Sequence, residues 1–210
     1  MMESIRQAFK RFYRGVAQQL DRLTGGKLTP NMVTWFGLAI HIPIAWLIAV
    51  DHYVWAAVAL VFFGLFDTLD GQLAQVQKRE SGRGMVLDTI TDRVKEILLY
   101  IGVAFTLVQA NGSPWLAAWT VAACGFSLLP GYLNALGEAT IAKYGGHAGK
   151  ERAINKTFRD GLFPFEVRIA VLALGLLSDH LAPAVIILAI GAAYTAIGRF
   201  GLVAARLKDA

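Results

Sequence analysis

The sequence contains six apolar stretches, each about as long as a helix needs to be to cross a lipid bilayer. They lie at residues 31–50, 53–76, 84–109, 114–140, 162–179 and 182–205. Roughly 20 mainly apolar residues span a hydrocarbon core of about 30 Å, because each helical residue advances the axis by about 1.5 Å. The hydrophobic fraction of 56% is higher than the roughly 45–50% of soluble proteins, and the charged fraction of 17% is lower than their roughly 25%. We therefore expect an all-α integral membrane protein with a six-helix transmembrane bundle.

The basic residues are distributed unevenly among the segments that connect these stretches. Lysine and arginine occur in the first 30 residues, in the loops 77–83 and 141–160, and after residue 205. The connections near 51–52, 110–113 and 180–181 contain none. Because basic loops stay in the cytoplasm, this pattern predicts six spans with both termini inside (N-in, C-in). We expect a multi-pass protein of the cytoplasmic, or inner, cell membrane.

Residues 3–22 alternate basic with apolar side chains instead of forming a span. Their apolar residues recur at nearly helical spacing, namely Ile5, Phe9, Phe12, Tyr13 and Val16. This pattern favours an amphipathic helix on the cytoplasmic leaflet, and a solvated basic tail is the alternative. The predicted organisation is a juxtamembrane segment over 1–30 and a transmembrane catalytic domain over 31–210. The net charge of +5 could attract nucleic acid or anionic lipid, and the apolar composition favours lipid.

Four aspartates lie within the second and third apolar stretches. Asp67 and Asp70 are three residues apart, so they share one face of a helix. Asp88 and Asp92 are four residues apart and also share a face. Small residues accompany them at Gly71, Ala74 and Gly84. Counting along the helices places both pairs at a similar depth near the cytoplasmic surface, so we expect a site that faces the cytoplasm.

These carboxylates need a compensating charge, because each costs roughly 2.5–3.5 kcal/mol near the centre of a spanning helix. The nearby cations Arg83, Arg93 and Lys95 are too few to neutralise all four. Sites rich in carboxylate oxygens suit Mg²⁺, Mn²⁺ or Ca²⁺, and two such ions could clamp a diphosphate. Two alternatives stay open: the aspartates form ion pairs that fix helix packing, or they line a path for cations or protons.

The spacing of the aspartates resembles the signature of the CDP-alcohol phosphotransferases, also called CDP-alcohol phosphatidyltransferases. The chain reads Asp67-x2-Asp70-Gly71-x2-Ala74-Gln75-x8-Gly84-x3-Asp88-x3-Asp92. The family signature is D-x2-D-G-x2-A-R-x8-G-x3-D-x3-D, so every defined position except Gln75 agrees. The approach to the first span, Thr29-Pro30-Asn31-Met32-Val33-Thr34, is also similar to the family. The resemblance extends to the plan of six spans behind an N-terminal surface helix.

This resemblance implies an enzyme of phospholipid biosynthesis. It would transfer a phosphatidyl group from a CDP-linked lipid such as CDP-diacylglycerol to an alcohol and release CMP. The resemblance implies a homodimer, Mg²⁺ or Mn²⁺ as cofactor with two ions per site, and Asp67, Asp70 and Asp88 as ligands. Asp92 would share the metal site and act as the general base, so Asp88 and Asp92 are the catalytic candidates. The candidate donor-binding residues are Thr34, Gly71, Ala74, Gln75, Arg83 and Gly84.

Gln75 is the one departure from the signature. The family has an arginine there that is thought to hold the CDP phosphates. Glutamine keeps the hydrogen bonding of that arginine but not its charge. Either a nearby cation at Lys78, Arg79 or Arg83 replaces the charge, or the donor binds more weakly.

The acceptor alcohol is less constrained. The pattern Tyr132-x2-Ala135-x2-Glu138 resembles members of the family that act on inositol phosphate, but Asn134 and Leu136 stand where those members have arginine. The candidate acceptor-binding residues are Lys143, Arg152 and Arg168, and the alternative for loop cations is contact with anionic lipid. We expect inositol phosphate or glycerol 3-phosphate as acceptor.

Two other functions use aspartates within membrane helices. An intramembrane Mg²⁺-dependent prenyltransferase has repeated asparagine- and aspartate-rich motifs in a larger bundle. A cation transporter often has helices broken by Gly or Pro in matching halves, and no such break is obvious in this chain. Metal-dependent release of CMP separates the phosphatidyltransferase from both.

Overall fold

The computed structural model describes residues 2–64, 67–144 and 163–208. Within these ranges the regular structure is α-helical and contains no β-strand, which confirms the predicted all-α class. Side chains are described over the same ranges except at residues 2–10, 67, 111, 141–144 and 206–208.

The described helices are numbered here in chain order. They are α1 (Met2–Thr24), α2 (Pro30–Ala49), α3 (Tyr53–Gly64), α4 (Asp67–Gln77), α5 (Gly82–Asn111), α6 (Pro114–Tyr144), α7 (Phe165–Leu177) and α8 (Leu181–Lys208). The chain divides into two compact units, Met1–Leu99 and Tyr100–Ala210.

Four stretches of the described chain are long and apolar enough to cross a membrane. They are Pro30–Ala49, Tyr53–Gln77, Pro114–Thr140 and Leu181–Ala205. Each coincides with a predicted span. The other two predicted spans do not meet the same criteria. Helix α5 carries five charged residues between Asp88 and Glu96, and α7 has 13 residues, about 20 Å of axis. The count of six therefore remains a prediction.

Several helices end in a turn whose last residue adopts a left-handed backbone conformation. Residues with positive φ follow α1, α2, α4 and α7 at Gly25, Asp51, Lys78 and Asp179. After α4 the amide of Arg79 donates to the carbonyl of Ala74 at 2.9 Å, and the amide of Lys78 donates to that of Gln75 at 3.2 Å. These two bonds form a Schellman motif, in which glycine is the usual left-handed residue. Lys78 holds this conformation with φ of 55° although a side chain disfavours it.

The first unit has an apolar core between α1 and α4. Tyr13 and Ala17 of α1 pack with Leu69 and Leu73 of α4, and Val33 of α2 completes the cluster. The face of α1 that holds Tyr13 and Ala17 is buried, and this burial raises the pKa of the Tyr13 phenol. Helix α2 also packs against α3 and α4. The first turns of α2 are thereby held beside α4.

The start of α2 follows from its local sequence. The Thr29 hydroxyl accepts a hydrogen bond from the amide of Met32 at 3.3 Å, and Pro30 occupies the first helical position. A threonine cap followed by proline is a favoured helix start, because the threonine hydroxyl accepts a hydrogen bond from a first-turn amide and proline has no N–H group. This start places Thr34 within the first two turns.

In the second unit, α8 packs against both α6 and α7. The contact between α7 and α8 is close at Gly175, where an added Cβ would lie 2.5 Å from the Cβ of Ala184. Small residues allow this approach, as is common between membrane helices. No such restriction applies at Gly125 of α6, where an added Cβ would meet no atom within 4 Å.

We expect Gly175→Ala to lower the free energy of unfolding by about 1–3 kcal/mol, because the methyl group would force α7 and α8 apart. Thermal unfolding of the purified protein in one detergent measures this change. Gly125→Ala is the matched control and should be neutral or stabilising by up to about 1 kcal/mol, since alanine is the better helix former. Equal unfolding temperatures for the two variants would contradict the close contact.

Candidate functional site

The first unit contains a cavity of about 550 Å³, here called the aspartate cavity. Its wall comes from the start of α2, from α4, from the connection that follows α4 and from the start of α5. The lining residues are Pro30, Asn31, Thr34, Asp70, Gly71, Ala74, Gln75, Arg79, Glu80, Ser81, Gly82, Gly84, Met85 and Asp88. The volume is in the range typical of small-molecule sites.

The aspartate cavity brings together residues that are far apart in the sequence but were all predicted as site residues. Those in its wall are Thr34, Asp70, Gly71, Ala74, Gln75, Gly84 and Asp88. Arg83 and Asp92 belong to α5 but not to the cavity wall. Asp67 is the first residue of α4, and its side chain lies outside the described residues.

Asp70 is held by two hydrogen bonds. Its Oδ2 accepts from the Thr34 hydroxyl at 2.7 Å, and its Oδ1 accepts from the Gly71 amide at 2.6 Å. The Pro30 carbonyl is a more distant acceptor for Thr34, at 3.2 Å. Asp70 and Thr34 are only 6% and 5% exposed. The two bonds fix the carboxylate in position, and each oxygen keeps further acceptor capacity for a cation or a ligand.

The first half of α5 contains two ion pairs of residues three apart. Lys95 Nζ lies 3.0 Å from Asp92 Oδ1, and Arg93 Nη1 lies 2.8 Å from Glu96 Oε2. The Lys95 and Glu96 side chains are each only 4% exposed, whereas Asp92 is 31% exposed. Lys95 therefore compensates part of the acidic charge of α5.

The chemistry of the cavity fits a divalent cation, but the four predicted ligands do not all appear together. Asp70 and Asp88 reach the same cavity from two different helices. Carboxylate oxygens are the ligands that Mg²⁺ and Mn²⁺ prefer. Among the described residues no three acidic, histidine or cysteine side chains form a metal-binding group. The Asp67 side chain lies outside the described residues.

Of the predicted acceptor residues, Arg168 is the one whose side chain the structure describes. It is 6% exposed, lies 5.6 Å from the centre of the Phe165 ring, and donates from Nη1 to the Phe163 carbonyl at 3.4 Å. Lys143 lies near the end of α6 with its side chain outside the described residues, and Arg152 lies wholly outside them.

Arg199 of α8 was not among the site residues predicted from the sequence. It is partly buried in the second unit, and its Nη1 donates to the Pro130 carbonyl of α6 at 3.2 Å. Arg168 lies on α7, which packs against α8 in the same unit. Asn134 lies one turn after Pro130, and its buried Oδ1 has no hydrogen-bond partner among the described residues. The signal in the sequence was a single charged residue within the stretch 182–205.

The sequence matches known proteins over most of its length. The profile of the CDP-alcohol phosphatidyltransferase family matches residues 27–197. Phosphatidylinositol phosphate synthase of Corynebacterium glutamicum is 32% identical over 116 residues, or 54% of this chain and 53% of that protein. The protein of the same name from Cutibacterium acnes is 29% identical over 143 residues, or 66% of each chain. The chain therefore spans about half to two thirds of the length of these relatives.

The fold is similar to that of solved structures. Mycobacterium tuberculosis phosphatidylinositol phosphate synthase with CDP-DAG bound superposes with a TM-score of 0.76 at 24% identity, covering 92% of this chain and 94% of that one. The same enzyme in complex with manganese and citrate gives a TM-score of 0.73 at 23% identity, covering 91% and 88%. At this identity the likeness shows a shared fold.

We expect Thr34→Val to destabilise the protein by about 1–3 kcal/mol, because the buried Asp70 carboxylate would lose its hydroxyl donor. Thermal unfolding in detergent measures the loss, and Thr34→Ser should retain most of the stability. Thr120→Val is a matched control, since that buried hydroxyl donates only to the Leu116 carbonyl of its own helix at 2.8 Å. Equal destabilisation by Thr34→Val and Thr120→Val would show that the hydrogen bond to Asp70 stabilises the protein no more than one within a single helix.

Proposed function

The chain belongs to the CDP-alcohol phosphatidyltransferase family, and from this premise we propose that it transfers a phosphatidyl group from CDP-diacylglycerol to an alcohol and releases CMP. The observation that carries the proposal is the aspartate cavity, in which Asp70 and Asp88 from two helices face one space. In this reaction the acceptor oxygen bonds to the phosphorus of the phosphatidyl group. The bond between that phosphorus and the oxygen of CMP breaks at the same centre.

The wall of the cavity suits a nucleotide-bearing donor. A Cβ added at Gly71 would meet no atom within 4 Å, so this part of the wall is open for a ligand to approach the backbone of α4. Gly84 serves packing as well, because an added Cβ would lie 3.2 Å from the Ser81 hydroxyl. The fold neighbour with CDP-DAG bound supports a donor of this class.

We assign the divalent metal to the four signature aspartates Asp67, Asp70, Asp88 and Asp92, with two ions per site. When bound, Mg²⁺ or Mn²⁺ would neutralise the diphosphate and stabilise the charge on departing CMP. The neighbour crystallised with manganese and citrate supports a divalent cation. Thr34 keeps the Asp70 carboxylate in place through its hydrogen bond of 2.7 Å.

Asp92 is the proposed general base. Its carboxylate is partly exposed and is held by Lys95 Nζ at 3.0 Å, an ion pair that fixes its orientation. It would accept the proton of the acceptor hydroxyl as the oxygen attacks phosphorus. Asp88, which lines the aspartate cavity, would be a metal ligand.

The proposed acceptor carries a phosphate group, with inositol phosphate first and glycerol 3-phosphate second. The names of the relatives from Corynebacterium glutamicum and Cutibacterium acnes support the first choice. In the second unit, the packed helices α7 and α8 carry Arg168 and Arg199, and a guanidinium group binds phosphate with strong hydrogen bonds. Lys143 and Arg152 remain further proposed contacts of the acceptor.

The membrane arrangement is proposed on the charge distribution. Helix α5 has 30 residues, about 45 Å of axis, which exceeds the roughly 30 Å of a hydrocarbon core. The part after Glu96 supplies only about 22 Å, so a span by α5 would place the charged residues around Asp92 at the cytoplasmic edge of the core. With α7 as a further span the count is six, with both termini, α1 and the aspartate cavity on the cytoplasmic side of the cell membrane. A homodimer is proposed from the family resemblance alone.

We expect Asp92→Asn to lower the rate of CMP release by at least about a hundredfold, because the amide cannot accept the hydroxyl proton. The amide oxygen can still accept a hydrogen bond from Lys95, so the variant should keep the unfolding temperature of the parent protein. The assay combines CDP-diacylglycerol, Mn²⁺ and inositol phosphate with protein purified in detergent.

Asp179→Asn is the control for this experiment. Asp179 is an exposed residue after α7 with φ of 57°, a conformation that asparagine tolerates equally well. Its rate should equal that of the parent protein. Full activity of the Asp92→Asn variant would remove Asp92 from the role of base.

A further inference from the structure

The wall of the aspartate cavity contains more acidic than basic side chains. Its wall contains three carboxylates, those of Asp70, Glu80 and Asp88, and a single basic side chain among the described residues, that of Arg79. Lys78 and Arg83, the other two cations near Gln75 in the sequence, are not part of the wall. A doubly charged diphosphate in this cavity would therefore meet one fixed cation of the protein.

The turn after α4 explains why Arg79 lines the cavity and Lys78 does not. The helix ends at Gln77, and the left-handed conformation of Lys78 reverses the chain. The hydrogen bond of 2.9 Å from the Arg79 amide to the Ala74 carbonyl then holds Arg79 against the last turns of α4. Ala74 and Gln75 line the same cavity. Arg79 and Gln75 therefore lie in the same cavity wall.

The present contacts of the Arg79 guanidinium are weak. Its Nη1 lies 3.5 Å from the Gly26 carbonyl and 3.5 Å from Gln77 Oε1. Both distances exceed the usual 2.7–3.2 Å of N–H···O hydrogen bonds, and both acceptors are uncharged. Within the described part of the chain the side chain is exposed and has no carboxylate at ion-pair distance. An anion entering the cavity could replace these contacts at little cost.

We propose that Arg79 binds the diphosphate of the CDP-linked donor and supplies the positive charge that is absent at Gln75. A guanidinium group presents several N–H donors in one plane and pairs with two phosphate oxygens at once. Arg79 is thus a donor-binding residue of this chain that lies outside the eight positions of the signature. This inference rests on the proposed function, because it concerns the donor of that reaction.

The experiment measures two quantities: the affinity of the purified protein for CDP in the presence of Mn²⁺, and the KM for CDP-diacylglycerol. Arg79→Gln should weaken CDP binding and raise the donor KM by about tenfold, the usual effect of losing a charged hydrogen bond. The KM for the acceptor should stay the same. Arg79→Lys, which keeps the charge, should retain part of the affinity.

Lys78→Gln is the matched control, since it removes an adjacent charge outside the cavity wall. It should change the CDP affinity by less than about twofold. In the double variant Gln75→Arg, Arg79→Gln the cation moves four residues back along the same wall, and the donor affinity should recover. This recovery also separates lost binding from a folding defect, which the second substitution would not repair.

Two results would overturn the inference, and they are distinguishable. If the parent protein binds CDP but Arg79→Gln behaves like Lys78→Gln, Arg79 has no part in donor binding and the proposed function stands. If the parent protein neither binds CDP nor releases CMP, the proposed function fails and the role of Arg79 fails with it.

Discussion

Carboxylate groups within apolar helices are stable only where other groups compensate their charge, and this constraint shapes the first unit. Asp70 is almost fully buried, yet both of its oxygens accept hydrogen bonds, from Thr34 and from Gly71. The bond to Thr34 joins α4 to the first turns of α2. Its formation depends on the Thr29 cap and on the apolar packing that places α2 beside α4. Thr34 and Asp70 both line the aspartate cavity.

Ion pairs within the first half of α5 compensate part of the acidic charge of the first unit. Lys95 pairs with Asp92, and Arg93 pairs with Glu96. Asp70 and Asp88 line a cavity large enough for a small molecule. Carboxylates in such a cavity can bind divalent cations, and the cations can in turn bind the phosphates of a donor. The family of the chain and the acidic cavity thus point to the same chemistry.

Much of this arrangement could be predicted from residue spacing. Intervals of three and four residues put the aspartates on single helical faces, and the cavity wall contains Asp70, Asp88 and the small residues between them. Turn geometry could not be predicted, because Lys78 adopts a left-handed conformation that the sequence would assign to glycine. The position of Arg79 depends on that turn. Arg199 was missed because no motif of the sequence includes it, and the packing of α8 against α6 and α7 became visible only in the structure.

The most direct test of the proposed phosphatidyl transfer is CMP release by the purified protein supplied with CDP-diacylglycerol and Mn²⁺. Parallel reactions would contain inositol phosphate, glycerol 3-phosphate, unphosphorylated inositol or no acceptor. We expect CMP release that requires a phosphate-bearing acceptor and stops when EDTA removes the metal. Release that persists in EDTA, or no release with any acceptor, would contradict a metal-dependent phosphatidyl transfer at the aspartate cavity.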